Sequence, residues 1–233
     1  MARPNLSPAG EIVRCHDPDR FFTALFAPPE RRETLFTLYA FNHELARASE
    51  VAREPVSALI RLQWWREVVE GARRRHEVAE PLGAALDAGH LLPADLLRMI
   101  DAREAEIEPV EDMAAFTDYV QDTAGTLMVA ASRSLGFESP EYLRRPGAAC
   151  GISTVLRNAA RTAAGHSMLP RSGADPESLR QLGLQWLGPK RRHHRRGLAA
   201  VLPLALARHR LRRGPAAGGG RLAVLIAAVT GRP

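Results

Sequence analysis

Residues 20–70 constrain the fold of this chain most, because they contain two long helical patterns separated by a single proline. Pro28-Pro29-Glu30 places proline and an acid where a helix begins. Apolar residues then recur at three- and four-residue spacing as far as Pro55, which a helix does not readily cross. The second pattern is apolar over a broad arc around Trp64 and Trp65, as in a helix packed on several sides. The segment predicts two consecutive long helices.

The rest of the chain also favours helices. Proline followed closely by an acid marks later helix starts at Pro93, Pro140 and Pro176. Residues 113–135 are typical of one long helix, in which Ala124-Gly125 permits close packing. No segment alternates over five or more residues with β-branched enrichment, so we expect no strands. The predicted fold class is all-α.

The length of 233 residues suits one domain, 1–233. Residues 1–170 carry the clearer helical patterns and form the expected core. Residues 171–233 differ, because they contain the basic run PKRRHHRR at 189–196 and the flexible sequence GPAAGGG at 214–220. We therefore expect a divergent, basic and loosely packed C-terminal part.

Charge and cysteine usage limit the classes of function. A formal net charge of +6 permits attraction to acidic lipid surfaces, diphosphates or nucleic acid. The basic run has no aromatic side chain to stack on bases, so nucleic acid is not expected. Cys15 and Cys150 are far apart and have no metal-ligand spacing, which indicates free thiols in a reducing compartment. No apolar run approaches the ~20 residues of a membrane span. We expect a cytoplasmic protein with peripheral contact to an anionic membrane at its inner face.

Four stretches resemble motifs of the squalene/phytoene synthase family. They are ALFAPPERRETLFTLYAF at 24–41, IRLQWWRE at 60–67, Tyr119 with AGT at 124–126, and VLRNAARTAAGHSMLP at 155–170. Their order and spacing make the resemblance specific. Within the family, the YAFNHE and IRLQWWRE segments resemble the branch that contains the mitochondrial complex I assembly factor and its proteobacterial relatives.

This resemblance implies an isoprenoid synthase-type helical bundle around a central cavity. Enzymes of the family join two prenyl diphosphates head to head, and two Asp-rich motifs on facing helices hold their Mg²⁺ ions. Carboxylate-bound divalent ions neutralise the charge of the departing diphosphate. The resemblance therefore also implies where such acids should be found.

The acids of both motifs are largely missing. Ala46 and Arg47 occupy the positions expected for the first pair, and only Glu50 keeps a carboxylate. In the second motif Asn158 stands where the family has Asp. His76 has no second histidine at ligand spacing and is predicted to lie on the surface. We therefore expect no metal site, no catalytic residue and no cofactor.

The resemblance instead implies candidate contacts to a ligand in the cavity, because an arginine pair can grip phosphate without a metal. These candidates are Tyr39, His43, Arg47, Glu50, Arg157, Asn158 and Arg161. The other interpretation of the arginines is that they form ion pairs with acids of neighbouring helices.

On this resemblance we expect a non-catalytic family member that binds a prenyl diphosphate, a prenyl lipid or a respiratory-complex subunit. The alternative is an active isoprenyl-diphosphate transferase whose Mg²⁺ ligands have moved to Glu44, Glu50 and Glu54. Convergence of those carboxylates with an acid from residues 118–122 would favour the alternative. A third possibility is a degenerate variant that does not fold cooperatively.

Overall fold

The computed structural model describes residues 6–51, 55–108, 110–138, 140–159, 168–172, 175–214 and 217–233, apart from the side chains of residues 49–51 and 107. These residues form helices connected by short turns. The α-helices are α1 (Pro8–His16), α2 (Pro18–Ala24), α3 (Pro29–Val51), α4 (Pro55–Val69), α5 (Ala79–Asp87), α6 (Pro93–Glu104), α7 (Met113–Val120), α8 (Thr126–Ser134), α9 (Arg144–Ala159), α10 (Pro176–Leu187), α11 (Leu198–Val201), α12 (Pro203–Arg213) and α13 (Gly220–Thr230). The described ranges contain no β-strand, so the all-α prediction is confirmed.

Capping side chains and prolines set most of the helix starts. Ser7 accepts a hydrogen bond from the Gly10 amide at 3.0 Å and caps α1, and Asp17 accepts one from the Arg20 amide at 3.0 Å and caps α2. The start predicted at Pro140 differs from the structure: Pro140–Leu143 is a 3₁₀ turn that leads into α9.

The helix predicted over residues 113–135 consists of three consecutive parts. α7 is followed by a π-helical turn at Gln121–Gly125, which leads directly into α8. α9 packs very closely against this turn. A Cβ atom added to Gly147 would lie 2.8 Å from Met128 Cβ and 3.0 Å from the Ala124 carbonyl oxygen. The small residues of the AGT motif therefore allow two backbones to approach each other.

The core consists of two apolar clusters. The first lies among α3, α4, α5 and α6, where Phe41, Leu82 and Ile100 are fully buried. The second lies among α9, α10 and α12, where Ile152 and Leu179 are fully buried. The part of the chain after residue 170 thus contributes buried residues of its own. In the described part of the chain, no helix combines the length and apolarity that a bilayer crossing needs.

Candidate functional site

The start of α2 brings an ion pair close to Tyr39 of α3. Asp17 and Arg20 form an ion pair with a distance of 2.5 Å between Oδ2 and Nη1. The Arg20 guanidinium carbon lies 5.8 Å from the ring centre of Tyr39. Tyr39 is buried, and this burial raises the pKa of its hydroxyl group. Tyr39 therefore remains neutral and contacts a cation that its own chain supplies.

Asp19 pairs with two arginines from distant helices. Its Oδ2 atom accepts hydrogen bonds from Arg157 Nη1 of α9 at 3.0 Å and from Arg210 Nη2 of α12 at 2.6 Å. Burial opposes ionisation of Asp19, but the hydrogen bonds and charges of the two arginines outweigh it and lower the pKa of the carboxyl group. We call Asp19, Arg157 and Arg210 the Asp19 cluster. It uses Arg157, a candidate phosphate contact, in an internal ion pair.

Cys150 lies near this cluster in the interior of the bundle. Burial raises the pKa of its thiol to about 12, although the charges of Arg20 and Arg210 oppose the shift. Cys150 therefore stays protonated at neutral pH. Cys15 is exposed, and both cysteines are free thiols, as the sequence predicts.

His43 stacks on His16 of α1 instead of facing an acid. The ring centres are 4.2 Å apart and the planes are inclined by 13°. Burial lowers the pKa of His43, and the neighbouring His16 lowers it further. The Nε2 atom of His43 is buried and has no hydrogen-bond partner in the described residues.

The remaining candidates do not form a common site in the described parts of the chain. Arg47 is exposed and pairs with Glu44 of the same helix at 3.3 Å. Asn158 is also exposed. The Glu50 side chain and all of Arg161 lie outside the described residues, as does Glu54 of the alternative.

The residues at the motif positions do not fit a magnesium cluster. Ala46 offers a methyl group, Arg47 a cation and Asn158 an amide, whereas Mg²⁺ prefers carboxylate oxygens. Within the described ranges no three His, Cys, Asp or Glu side chains converge as metal ligands. Glu44 pairs with Arg47, and Asp122 pairs with Arg98 at 3.2 Å. Of the described acids of the alternative, Glu44 and Asp122 are therefore engaged in ion pairs, and Asp118 is exposed.

A buried polar network was not predicted from the sequence. Tyr119 donates a hydrogen bond to Glu106 Oε1 at 2.5 Å, and Glu106 is also paired with Arg103. Arg103 reaches Asn42 Oδ1 at 3.3 Å and thereby connects α6 to α3. A cavity of about 460 Å³ opens beside Tyr119 and is also lined by Leu59 of α4.

The sequence and fold comparisons agree with each other. The family described as squalene/phytoene synthase matches residues 13–232 of the chain. The chain belongs to the squalene/phytoene synthase family. Among solved structures, it is similar to a dehydrosqualene synthase, with a TM-score of 0.67, 12% identity and coverage of 95% of this chain and 94% of that one. It is also similar to squalene synthase HpnC from Alicyclobacillus acidocaldarius, with a TM-score of 0.64, 15% identity and coverage of 96% and 92%. These likenesses confirm the isoprenoid synthase fold.

The chain is also similar to proteins named NADH dehydrogenase (ubiquinone) complex I, assembly factor 6. The human protein is 28% identical over 156 residues, which are 63% of this chain and 47% of that protein. The mouse protein is 30% identical over the same shares. The chain therefore spans about half the length of these relatives. The branch suggested by the YAFNHE and IRLQWWRE segments is thus confirmed.

Proposed function

We propose that this chain is a non-catalytic member of the squalene/phytoene synthase family that acts in the assembly of a respiratory complex. Its motif positions carry Ala46, Arg47 and Asn158 in place of acids. The Asp19 cluster is the observation that carries the proposal, because it occupies Arg157 and places a negative charge beside the second motif. The names of the related assembly factors support the same function.

The chemistry of ionisation explains why this arrangement suits binding better than catalysis. A departing diphosphate carries several negative charges, and its stabilisation supplies a large share of a barrier reduction of ~8 kcal/mol or more. The carboxylate of Asp19 would repel that charge. Asp19 offsets one of the two positive charges of Arg157 and Arg210, and its hydrogen bonds hold both guanidinium groups in an internal contact.

A turnover assay tests the absence of catalysis. The purified chain is incubated with Mg²⁺ and farnesyl or geranylgeranyl diphosphate, and products are analysed by mass spectrometry. We expect no C30 or C40 hydrocarbon, and formation of either would end the proposal. A mass spectrum of lipids extracted from protein purified from its own host would show whether the bundle carries a prenyl chain.

A genetic test addresses the assembly role. Deletion of the gene in its host should lower the amount of assembled complex I on native gels, while the isoprenoid content stays unchanged. Plasmid-borne wild type should restore the complex, and so should the Arg73→Gln variant, since Arg73 pairs with Asp87 on an exposed surface away from the motif positions. Normal complex I with lost isoprenoids would favour the transferase instead.

We also propose that α13 contacts an anionic membrane. Its outer face presents four apolar side chains at the spacing of one helical stripe, each between 45% and 83% exposed: Leu222, Leu225, Ile226 and Val229. The end of α13 lies against the basic run, because the His193 amide donates to the Gly231 carbonyl at 2.9 Å. An apolar stripe next to cations is typical of a helix that lies in the headgroup region of an anionic bilayer.

Vesicle sedimentation tests this contact. The chain should sediment with phosphatidylglycerol vesicles and not with phosphatidylcholine vesicles. Ile226→Ser should lower binding several-fold, whereas Ile60→Ser, on the similarly exposed face of α4, should not. Equal loss from both variants, or no sedimentation of the wild type, would contradict the assignment.

A further inference from the structure

A second cavity lies at the opposite end of α9 from the Asp19 cluster. It has a volume of about 250 Å³ and is formed where the end of α10 meets α9 and α12. Arg145 lines it and is twelve residues before Arg157 on the same helix, a separation of about 18 Å at the rise of an α-helix. The two places are therefore separate sites. None of the family motif positions lines this cavity.

The side chains around this cavity are cationic and aromatic. Three arginines (Arg145, Arg191, Arg208) and His193 line it together with the rings of Tyr142 and Trp186. No acidic side chain of the described residues lines it. Cationic side chains that line one space without an acidic side chain among them favour an anion there.

Arg208 is the least exposed of these cations. Only 7% of the residue is accessible, and in the described part of the chain no carboxylate pairs with it. Its Nη1 atom donates to the Gly188 carbonyl at 3.0 Å, and Nη2 lies 3.4 Å from the Leu187 carbonyl. These carbonyls end α10, so the helix dipole offsets part of the charge. The Nε atom is buried and has no hydrogen-bond partner. A buried guanidinium without a counter-charge is costly unless a ligand supplies one.

We propose that this cavity binds a phosphate group carried on a small organic body. Arginine provides the planar donors that suit phosphate oxygens. The walls formed by Tyr142 and Trp186 suit the organic part, and the volume of about 250 Å³ suits a small one. The same chemistry is offered by a glycerophosphate lipid headgroup and by a soluble phosphate monoester. This inference does not depend on the proposed role in assembly.

Tryptophan fluorescence provides the readout, since Trp186 lies in the cavity wall and the other tryptophans, Trp64 and Trp65, lie on α4. Titration of the full chain with glycerol 1-phosphate, or with inorganic phosphate, should give a saturable change that is absent in Trp186→Phe. In a separate arm of the experiment, the chain is titrated with phosphatidylglycerol vesicles and the same fluorescence is measured.

Exposed arginines provide variants that keep the fold. Arg145→Gln and Arg191→Gln should each weaken binding about tenfold, the effect of losing one charge-assisted hydrogen bond. Arg195→Gln removes the same charge from the same basic run without touching the cavity, and it should change binding less than about twofold. Arg208→Gln is expected to destabilise the fold and is therefore not the deciding variant.

The outcomes distinguish the two sources of phosphate. Saturable binding of glycerol 1-phosphate that depends on Arg145 and Arg191 supports a soluble ester. Binding of vesicles alone, with the same dependence on Arg145 and Arg191, supports a lipid headgroup. The proposal is overturned by the absence of both, or by binding of glycerol 1-phosphate that Arg195→Gln weakens as much as Arg191→Gln does.

Discussion

Replacement of Asp19 by asparagine tests whether the Asp19 cluster holds the bundle together. The substitution keeps the shape of the side chain and removes the charge that Arg157 and Arg210 share. The side chains of Asp19, Arg157 and Arg210 are 32%, 28% and 19% exposed, so solvent screens them in part. A hydrogen bond between charged groups contributes about 1.5–3 kcal/mol. Two such bonds, reduced by about half for screening, give an expected loss of ~1.5–3 kcal/mol.

Urea denaturation of wild type and Asp19→Asn measures this loss, which corresponds to a decrease of about 3–10 °C in melting temperature. Asp87→Asn is the matched control, because Asp87 pairs with Arg73 at 2.7 Å while both side chains are more than 60% exposed. We expect the control to lose less than about 0.5 kcal/mol. Similar losses in both variants would refute the argument that three helices depend on Asp19.

The pH dependence provides a second check on Asp19. Its pKa is lowered in the folded chain, so the unfolded chain binds the proton more readily. The stabilisation is therefore fully present above the ordinary carboxyl pKa of about 3.9 and is lost as the pH falls through the lower folded value. The stability difference between wild type and Asp19→Asn should shrink over that interval. A stability difference between the two proteins that stays constant as the pH falls below about 3.9 would show that the charge of Asp19 does not cause it.

Three further predictions concern packing, thiol reactivity and histidine protonation. Gly147→Ala should lower the free energy of unfolding in urea by about 1–3 kcal/mol, because the added Cβ atom would overlap the neighbouring helix. Gly218→Ala is the control: its Cβ atom would have nothing within 4 Å, so the change should stay within about 0.5 kcal/mol. Equal effects of the two substitutions would contradict the close packing. Ellman's reagent should titrate one thiol in the native chain, Cys15, and two in urea, since the buried Cys150 has a pKa of about 12; two fast native thiols would contradict its burial. The lowered pKa of His43 means that the unfolded chain binds more protons than the folded chain does. The free energy of unfolding should therefore fall as the pH drops below about 6.5, and it should fall less in His43→Gln. The same fall in both proteins would show that a group other than His43 causes it.

Local sequence signals predicted the helices well, because their causes lie within a few residues. The structure starts α3 at Pro29, α6 at Pro93 and α10 at Pro176, as predicted, and it starts α4 at Pro55, which was predicted only to end the preceding helix. In each case proline occupies the first turn, where its missing amide costs nothing. The start at Pro140 differed because a 3₁₀ turn precedes α9 there.

The contacts between helices could not be predicted in the same way. Asp19 is 138 residues from Arg157 and 191 residues from Arg210 in sequence, and no periodic pattern connects such positions. The sequence did suggest acids of other helices as partners for the arginines, and for Arg157 that partner is Asp19 of α2. Asp17 gave a clear local signal as a helix cap, whereas Asp19 gave none.

His76 shows a second limit of sequence reasoning. It was predicted to lie on the surface because no second histidine is placed to share a metal with it. The structure instead packs its ring edge-on against Trp64 and Trp65, at 5.5 and 5.4 Å between ring centres. Its Nδ1 atom accepts a hydrogen bond from the Val78 amide at 3.1 Å. His76 is half-buried, so the surface prediction missed its packing against α4, about which the absence of a metal partner says nothing.

The two ends of α9 differ in how their arginines are neutralised, and this difference connects the fold to the proposed functions. At the C-terminal end Arg157 has an internal partner, Asp19, where the family resemblance implies a bound diphosphate. At the N-terminal end Arg145 and the buried Arg208 line a cavity to which no described residue contributes an acidic side chain. A charge that the protein neutralises itself is unavailable to a ligand, whereas a charge left without a partner favours anion binding. The distribution of arginine partners therefore supports the proposed phosphate site at the N-terminal end of α9, where the basic run and the end of α10 meet.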